Sequence, residues 1–249
     1  MKKVALQLYS VRRSLKQDFW GTLRAVRAMG YTGVEGFGSF PCTAQEFKAA
    51  LDDTGLEIVG WHQDIAGLQA DTLIATVTYN KVLGNSRLAV PWMDKECFAD
   101  AAACAATAKQ LEDAALALQP YGITLGYHNH TQEYDHLIDG KIPMDLVLQD
   151  APHVFYQLDC GNALHGNGDI YSSFDRFPGR FETVHAKPFS KKDGMATMIG
   201  SDDVDWARFL KLSFGIGAAK WAIVEYEVET LYPELKGVEL ALENIVKYL

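Results

Sequence analysis

The chain has 249 residues, 48% hydrophobic and 22% charged, with a formal charge of −9. That is ordinary globular composition, long enough to bury a core without a disulfide or metal staple. The acidic balance argues against a duplex-DNA binder, which needs a basic face for phosphates, and no run of roughly eighteen apolar residues is present to span a membrane. Four cysteines, Cys42, Cys97, Cys104 and Cys160, form no Cys-x-x-Cys pair, which suits a reduced, cytoplasmic protein. The start, Met1-Lys2-Lys3-Val4, opens like a signal peptide, but Gln7, Ser10, Arg12 and Arg13 break the apolar stretch at once.

Short apolar runs alternate with helical ones. Val4 to Tyr9 reads as a strand, and Phe19 to Met29 as a helix stopped by Gly30. Gly33 to Phe37 is a second strand, followed by a helix from the Thr43 cap to Asp53 and Gly55. Glu57 to His62 is the third strand, Leu68 to Leu83 a helix ending at Gly84, and Arg87 to Val90 the fourth strand, closed by Pro91. A long alanine-rich helix spans Lys95 to Leu118, ended by Pro120 and Gly122. Ile123 to His128 is the fifth strand, with a short helix from Met144 to Gln149 behind Pro143. Val154 to Leu158 is the sixth strand, with a helical turn at Ile170 to Phe174. Phe181 to Lys187 is the seventh strand and Asp205 to Phe214 a helix. Trp221 to Tyr226 is the eighth strand, and Pro233 to Tyr248 the last helix.

Eight strand-helix units predict an α/β fold with a parallel sheet, closed into a single-domain (β/α)8 TIM barrel over residues 1–249. A doubly wound open sheet is disfavoured, because Tyr9-Ser10-Val11-Arg12 stands where a Gly-x-Gly-x-x-Gly turn would follow the first strand.

Chemistry in such a barrel sits at the C-terminal ends of the strands. Those ends carry Gln7 and Tyr9, Glu35, His62, His128-Asn129-His130, Asp159-Cys160-Gly161-Asn162, His185-Ala186-Lys187 and Glu225-Tyr226-Glu227. His128, Asp159, His185 and Glu225 come from four successive strands and are candidate ligands for one divalent metal. Imidazole with carboxylate suits Mn²⁺, Fe²⁺, Co²⁺ or Zn²⁺ better than Ca²⁺. Strand parity aligns His128 with Gly126 and His130, and His185 with Thr183 and Lys187. Any one histidine at a strand end is more often a hydrogen-bonded rim residue than a ligand. Four candidates at four consecutive ends are harder to dismiss. His136, His153 and His165 fall in loops and read as solvated, Cys160 as a packing residue, and Asp202-Asp203 as a helix entry.

At these residues the sequence resembles the sugar phosphate isomerase/epimerase superfamily of xylose isomerase-like barrels. The resemblance lies in Gln7-Leu8-Tyr9-Ser10-Val11-Arg12, Tyr31-Thr32-Gly33-Val34-Glu35, Tyr127-His128-Asn129-His130, Leu158-Asp159-Cys160-Gly161-Asn162, Val184-His185-Ala186-Lys187 and Ile223-Val224-Glu225. It implies one bound divalent ion, Mn²⁺ first with Mg²⁺, Co²⁺, Fe²⁺ or Zn²⁺ as alternatives. In the ketose epimerases of this family the ion is held by Glu, Asp, His and Glu. Asp159, His185 and Glu225 match three of these directly, while His128 stands where the fourth is a glutamate. The resulting ligand set carries two negative charges rather than three and implies a stronger Lewis acid. Glu133 could return a carboxylate to the site, and His130 could act as a second base. His62, Asn162 and Lys187 match substrate-touching positions, and Lys187 could hold an oxyanion.

The implied function is a metal-dependent isomerase or epimerase on a small sugar, keto-sugar or cyclic polyol, working through an enediolate held by the metal and Lys187. Glu225 is then the base, with Lys187, His130 and Glu133 as further catalytic candidates. A lyase, a dehydratase of an inosose or keto-sugar or an enzyme cleaving a 3-keto-glycoside, is the alternative favoured by His128. An endonuclease on abasic DNA is disfavoured by the charge of −9, and a non-catalytic sugar-binding subunit is the third class. The expected partner is a small sugar, with a homo-oligomer left open, and with neither nucleic acid nor membrane. Trp61, Trp92 and Phe189 are candidates to stack on a sugar ring, each with core or loop packing as the plainer role.

Overall fold

Val, Ile, Leu and aromatic residues dominate eight short runs, and these pair side by side as parallel strands. They are β1 (Lys3–Gln7), β2 (Gly33–Phe37), β3 (Glu57–His62), β4 (Arg87–Val90), β5 (Thr124–His128), β6 (Val154–Gln157), β7 (Thr183–Ala186) and β8 (Trp221–Val224). The computed structural model describes residues 3–40 and 42–249, so the signal-like Met1-Lys2 start lies outside the described residues. Ladders run in the order β6-β5-β4-β3-β2-β1-β8-β7. Between β6 and β7 the seam is carried by a single parallel bridge, Asp159 to His185, and by His185 N donating to Leu158 O at 2.8 Å. Two candidate ligands, Asp159 just past β6 and His185 on β7, therefore meet at the seam that closes the barrel.

The helices that follow the strands cover the outside. They are α1 (Arg12–Gln17), α2 (Phe19–Met29), α3 (Ala44–Thr54), α4 (Leu73–Leu83), α5 (Ala101–Leu118), α6 (Pro143–Asp150), α7 (Cys160–His165), α8 (Ser172–Arg176), α9 (Trp206–Phe214) and α10 (Glu234–Ile245). Thr43 caps α3 with a reciprocal box, its hydroxyl accepting from Glu46 N and Glu46 accepting from Thr43 N. A cap of this kind stabilises by about 1 kcal/mol. Gly30 ends α2 at φ 113°, which few other residues adopt.

Several boundaries differ from expectation. The first strand stops at Gln7, not Tyr9, because the Gln7 side chain accepts from Tyr9 N at 3.0 Å and starts a 3-10 turn over Leu8–Val11. Leu8, Val11 and Leu15 are buried at helical spacing, and so α1 forms where no helix was expected. The chain between Leu68 and Leu73 turns before α4 begins. The long helix begins at Ala101, behind the Asp100 cap and a separate 3-10 turn over Lys95–Phe98.

Inner faces follow strand parity, with one interruption. Ala5, Val59, Trp221 and Ile223 form their own buried cluster inside the barrel, apart from the larger core beneath the helices. The β2–β3 register shifts at Val34 and Glu35, so that Ile58 pairs with Val34 but Gly60 with Glu35. This bulge inserts one residue and reverses parity beyond Val59. Trp61 is thereby turned outward against Phe40, Phe47 and Tyr79, at 5.0–5.7 Å between ring centroids. Trp61 is a core residue, then, and the sugar-stacking role does not hold for it.

Candidate metal centre

The upper interior of the barrel is a polar layer built on Glu35. Its carboxylate is fully buried and receives hydrogen bonds from Gln7 Nε2 at 2.8 Å and Gln157 Nε2 at 2.7 Å. It also meets His185 Nε2 at 2.7 Å and His62 Nε2 at 3.1 Å. Gly60 makes room for it, since a Cβ there would lie 2.6 Å from Glu35 Oε1. Burial alone would raise this carboxyl's pKa, but the charges of His62 and His185 and their hydrogen bonds outweigh it and hold the pKa far below the usual range. The sequence marks Glu35 only as a polar residue at a strand end. A charged side chain amid the otherwise apolar Gly33-Val34-Glu35-Gly36-Phe37 was the available signal, because an isolated buried charge is costly and demands partners.

One layer higher stand the four expected ligands. His128, Asp159, His185 and Glu225 are all buried, and one ligand atom from each lies within 4.8 Å of the others. His185 Nδ1 is 2.6 Å from Glu225 Oε2 while its Nε2 faces Glu35. Both ring nitrogens thus point at carboxylates. Burial disfavours the imidazolium, but Glu35 and Glu225 raise its pKa to about 10. Glu225 is shifted the other way: burial would raise its pKa, yet Lys187 and His185 pull it well below the ordinary value.

Two atoms in this cluster are left without partners. Asp159 Oδ2 and His128 Nδ1 are buried and make no hydrogen bond. Asp159 Oδ2 lies 4.0 Å from both His128 Nε2 and His185 Nδ1. Burial raises the Asp159 pKa and lowers that of His128, the direction each takes when a charge is poorly solvated. Buried polar atoms are nearly always paired, so an unpaired carboxylate oxygen facing two imidazoles is a place where a cation could be held. The donor set fits a divalent ion.

The surrounding chain holds these groups in place. Asp159 caps α7, its Oδ1 accepting from Asn162 N at 2.7 Å, which leaves Oδ2 to face the cluster. Asn129 grips the Asp159 backbone on both sides, with Asn129 Nδ2 donating to Asp159 O and Asp159 N donating to Asn129 Oδ1. Asn162 Nδ2 in turn donates to Asn129 O at 3.1 Å. The structure therefore gives Asn162, expected to bind substrate, a positioning role as well as a place at the cavity wall.

The remaining expected residues divide. His62 packs beneath the mouth, 4.8 Å from the His128 ring and stacked 5.3 Å from that of His185, and its Nε2 also meets Gln157 Oε1 at 2.7 Å. Lys187 is buried, its ammonium 3.2 Å from Glu225 Oε1 and paired with Glu227. His130 borders the open cavity, and burial together with Lys187 lowers its pKa to about 4. It is a neutral imidazole at pH 7. Glu133 does not join the site, which corrects the expectation of a returning carboxylate. It lies behind the loop, its oxygens accepting from Tyr127 Oη at 2.6 Å and His130 N at 2.8 Å. Tyr127 has the opposite parity to His128, so the pair sits outside the barrel wall. His165, read as solvated, is exposed but borders the cavity and packs against Phe189 at 5.5 Å.

Burial raises the Glu133 pKa to about 7, more than hydrogen bonding lowers it. A raised carboxyl pKa favours the protonated fold, so stability is full below about pH 4.5 and is lost as pH rises through 7. The shift corresponds to a few kcal/mol, on the order of 1.4 per pKa unit. Glu133→Gln should flatten the stability profile between pH 4.5 and 7. Urea melts across that range check it, and an unchanged slope would reassign the titration.

The cluster lies under a cleft at the C-terminal ends of the strands, where barrel enzymes carry their chemistry. The xylose isomerase-like TIM barrel family model matches residues 23–248. A sugar phosphate isomerase/epimerase from Parabacteroides distasonis superposes with a TM-score of 0.84 at 21% identity, covering 99% of this chain and 98% of that one. L-ribulose 3-epimerase gives 0.72 at 14% identity, covering 100% and 95%. The probable 3-DHS dehydratase AsbF from Bacillus anthracis gives 0.76 at 12%, covering 98% of each chain. A comparison with curated protein sequences gives no match. Strand order, cluster position and the match over nearly the whole length agree: the chain belongs to the xylose isomerase-like TIM barrel family.

Proposed function

We propose that this protein is a divalent-metal-dependent sugar isomerase or epimerase, moving a proton next to the carbonyl of a small keto-sugar or cyclic polyol. The observation that carries the reading is the buried His128, Asp159, His185 and Glu225 group, with the unpaired Asp159 Oδ2 among them, beneath an open cleft. An ion held by those four residues would supply Lewis acidity toward a carbonyl and its neighbouring hydroxyl, with Mn²⁺ the first choice for this mixed donor set. Glu225 is ionised at neutral pH and borders the cleft, so it takes the proton from carbon. The Lys187 ammonium, beside Glu225, steadies the negative charge that develops on substrate oxygen. His130, neutral and at the cleft wall, accepts or returns a proton at a second position.

A second reading, elimination by a lyase, is favoured by the withdrawal of Glu133. The carboxylates beside Lys187, Glu225 and Glu227, stand together on one side of the cleft, with the His130 imidazole as the other candidate base. The test follows deuterium from D₂O into D-fructose, D-tagatose and an inosose by NMR, with Mn²⁺ present. Wild type should exchange the C–H beside the carbonyl, and Glu225→Gln should slow this by about 10²–10⁴. Exchange with retained carbon skeleton supports isomerisation or epimerisation, and loss of a hydroxyl supports the lyase. Absence of exchange in the metal-loaded protein with every sugar would overturn both.

A further inference from the structure

We propose that the substrate is a ketose bearing a second ring, not a free monosaccharide. The sugar half of this inference rests on the proposed function, and the second ring rests on the shape of the mouth. A line from His130 to Glu225 and Glu227 divides the cleft into two lobes that share those three residues. Each lobe has a volume of about 360 Å³. One lobe alone reaches the lower part of the roughly 300–1,000 Å³ range of sites that enclose a whole small ligand.

The lobes differ in chemistry. The one on the β6–β8 side is lined by Asn162, His165 and Lys187, groups that match a polyhydroxylated ring, together with Pro188, Met195 and Val228. The one on the β1–β4 side adds three aromatic walls, Tyr9, Phe37 and Trp92, to the polar Gln7, His62 and Asp64. Tyr9 and Trp92 are 38% and 49% exposed, unusual for large aromatics whose burial is worth so much. Tyr9 meets Phe37 edge-on at 5.1 Å and carries the Arg12 guanidinium over one face at 4.4 Å, and Trp92 meets His130 edge-on at 4.9 Å, so both rings are held in place. Of the four candidate ligands, Glu225 borders both lobes and His128 only the aromatic one. Substrate oxygens held beside Glu225 would therefore lie at the boundary. A ketose reaching toward Lys187 leaves the aromatic lobe empty, and a second ring attached to it enters that lobe and lays an apolar face on the exposed rings.

The experiment titrates metal-loaded protein with D-fructose, lactulose, isomaltulose and a benzyl ether of fructose by calorimetry. At least one ring-bearing ketose should bind about tenfold tighter than fructose, the upper range for an aromatic contact. Trp92→Ala should bring that ratio toward one, and Trp92→Phe should restore most of it. The glycosyl and benzyl arms tell a second sugar from an aryl group. Equal affinity for fructose and every derivative, or a ratio indifferent to Trp92→Ala, would overturn the inference while leaving the proposed function standing. Absence of metal-dependent binding by any ketose would overturn both.

Discussion

Asp159→Asn should abolish tight divalent-ion binding without harming the fold. Asparagine keeps the oxygen that caps α7 and the backbone gripped by Asn129. It removes the buried charge whose Oδ2 has no partner. The metal-free variant should be as stable as metal-free wild type, or more so, because an uncompensated buried carboxylate is costly. The difference appears on adding Mn²⁺. At a concentration about 100 times its dissociation constant, an ion bound only by the native state adds about 2.7 kcal/mol. Wild type should gain this and the variant should not. Calorimetric titration against stripped protein should give one ion per wild-type chain. Equal Mn²⁺ affinity in the two proteins would remove Asp159 from the ligand set.

Glu35→Gln should act in the opposite sense on the metal-free fold. Glu35 lies 2.7 Å from His185 Nε2, on the side of the ring away from Glu225. That is the arrangement of a carboxylate that orients a ligating histidine, and loss of such a partner typically weakens metal binding about 10–100-fold. Without metal, the substitution leaves the buried imidazolium short of one counter-charge, which typically costs about 3–5 kcal/mol. The pH dependence carries a sign. The His185 pKa is raised to about 10, so its contribution is full below the unfolded value near 6.5 and is lost as pH rises toward 10. Metal-free wild type should weaken across that window, and Glu35→Gln should weaken less because its imidazolium is no longer strongly favoured. Melts from pH 6 to 10, paired with chelator competition, measure both effects. A variant with wild-type metal affinity and an unaltered pH slope would make Glu35 a packing residue only.

The two substitutions touch neighbouring carboxylates with contrasting partners. Asp159 has one oxygen committed and one orphaned, whereas Glu35 is satisfied on every side. Only the structure shows which of the two carboxylates has an oxygen without a partner.

The amino-acid sequence alone determined the barrel and much of its centre. Strands are short apolar runs and helices have apolar period and glycine stops, so β2, β3, β4 and α2 lie where local pattern places them. Parity is equally local, and it aimed His128, His185 and Lys187 inward from uninterrupted strands. Tertiary structure decided what parity could not. The bulge at β3 sends Trp61 into the outer core, because an inserted residue is visible only when β2 and β3 pair. Glu133, in the loop, is drawn away by Tyr127, a residue six positions earlier that faces the side of β5 opposite to His128. Glu35 gains its role from Gln7, His62, Gln157 and His185, which come from four other strands. Such long-range partners satisfy a buried charge through distances in space, and sequence spacing carries no record of them.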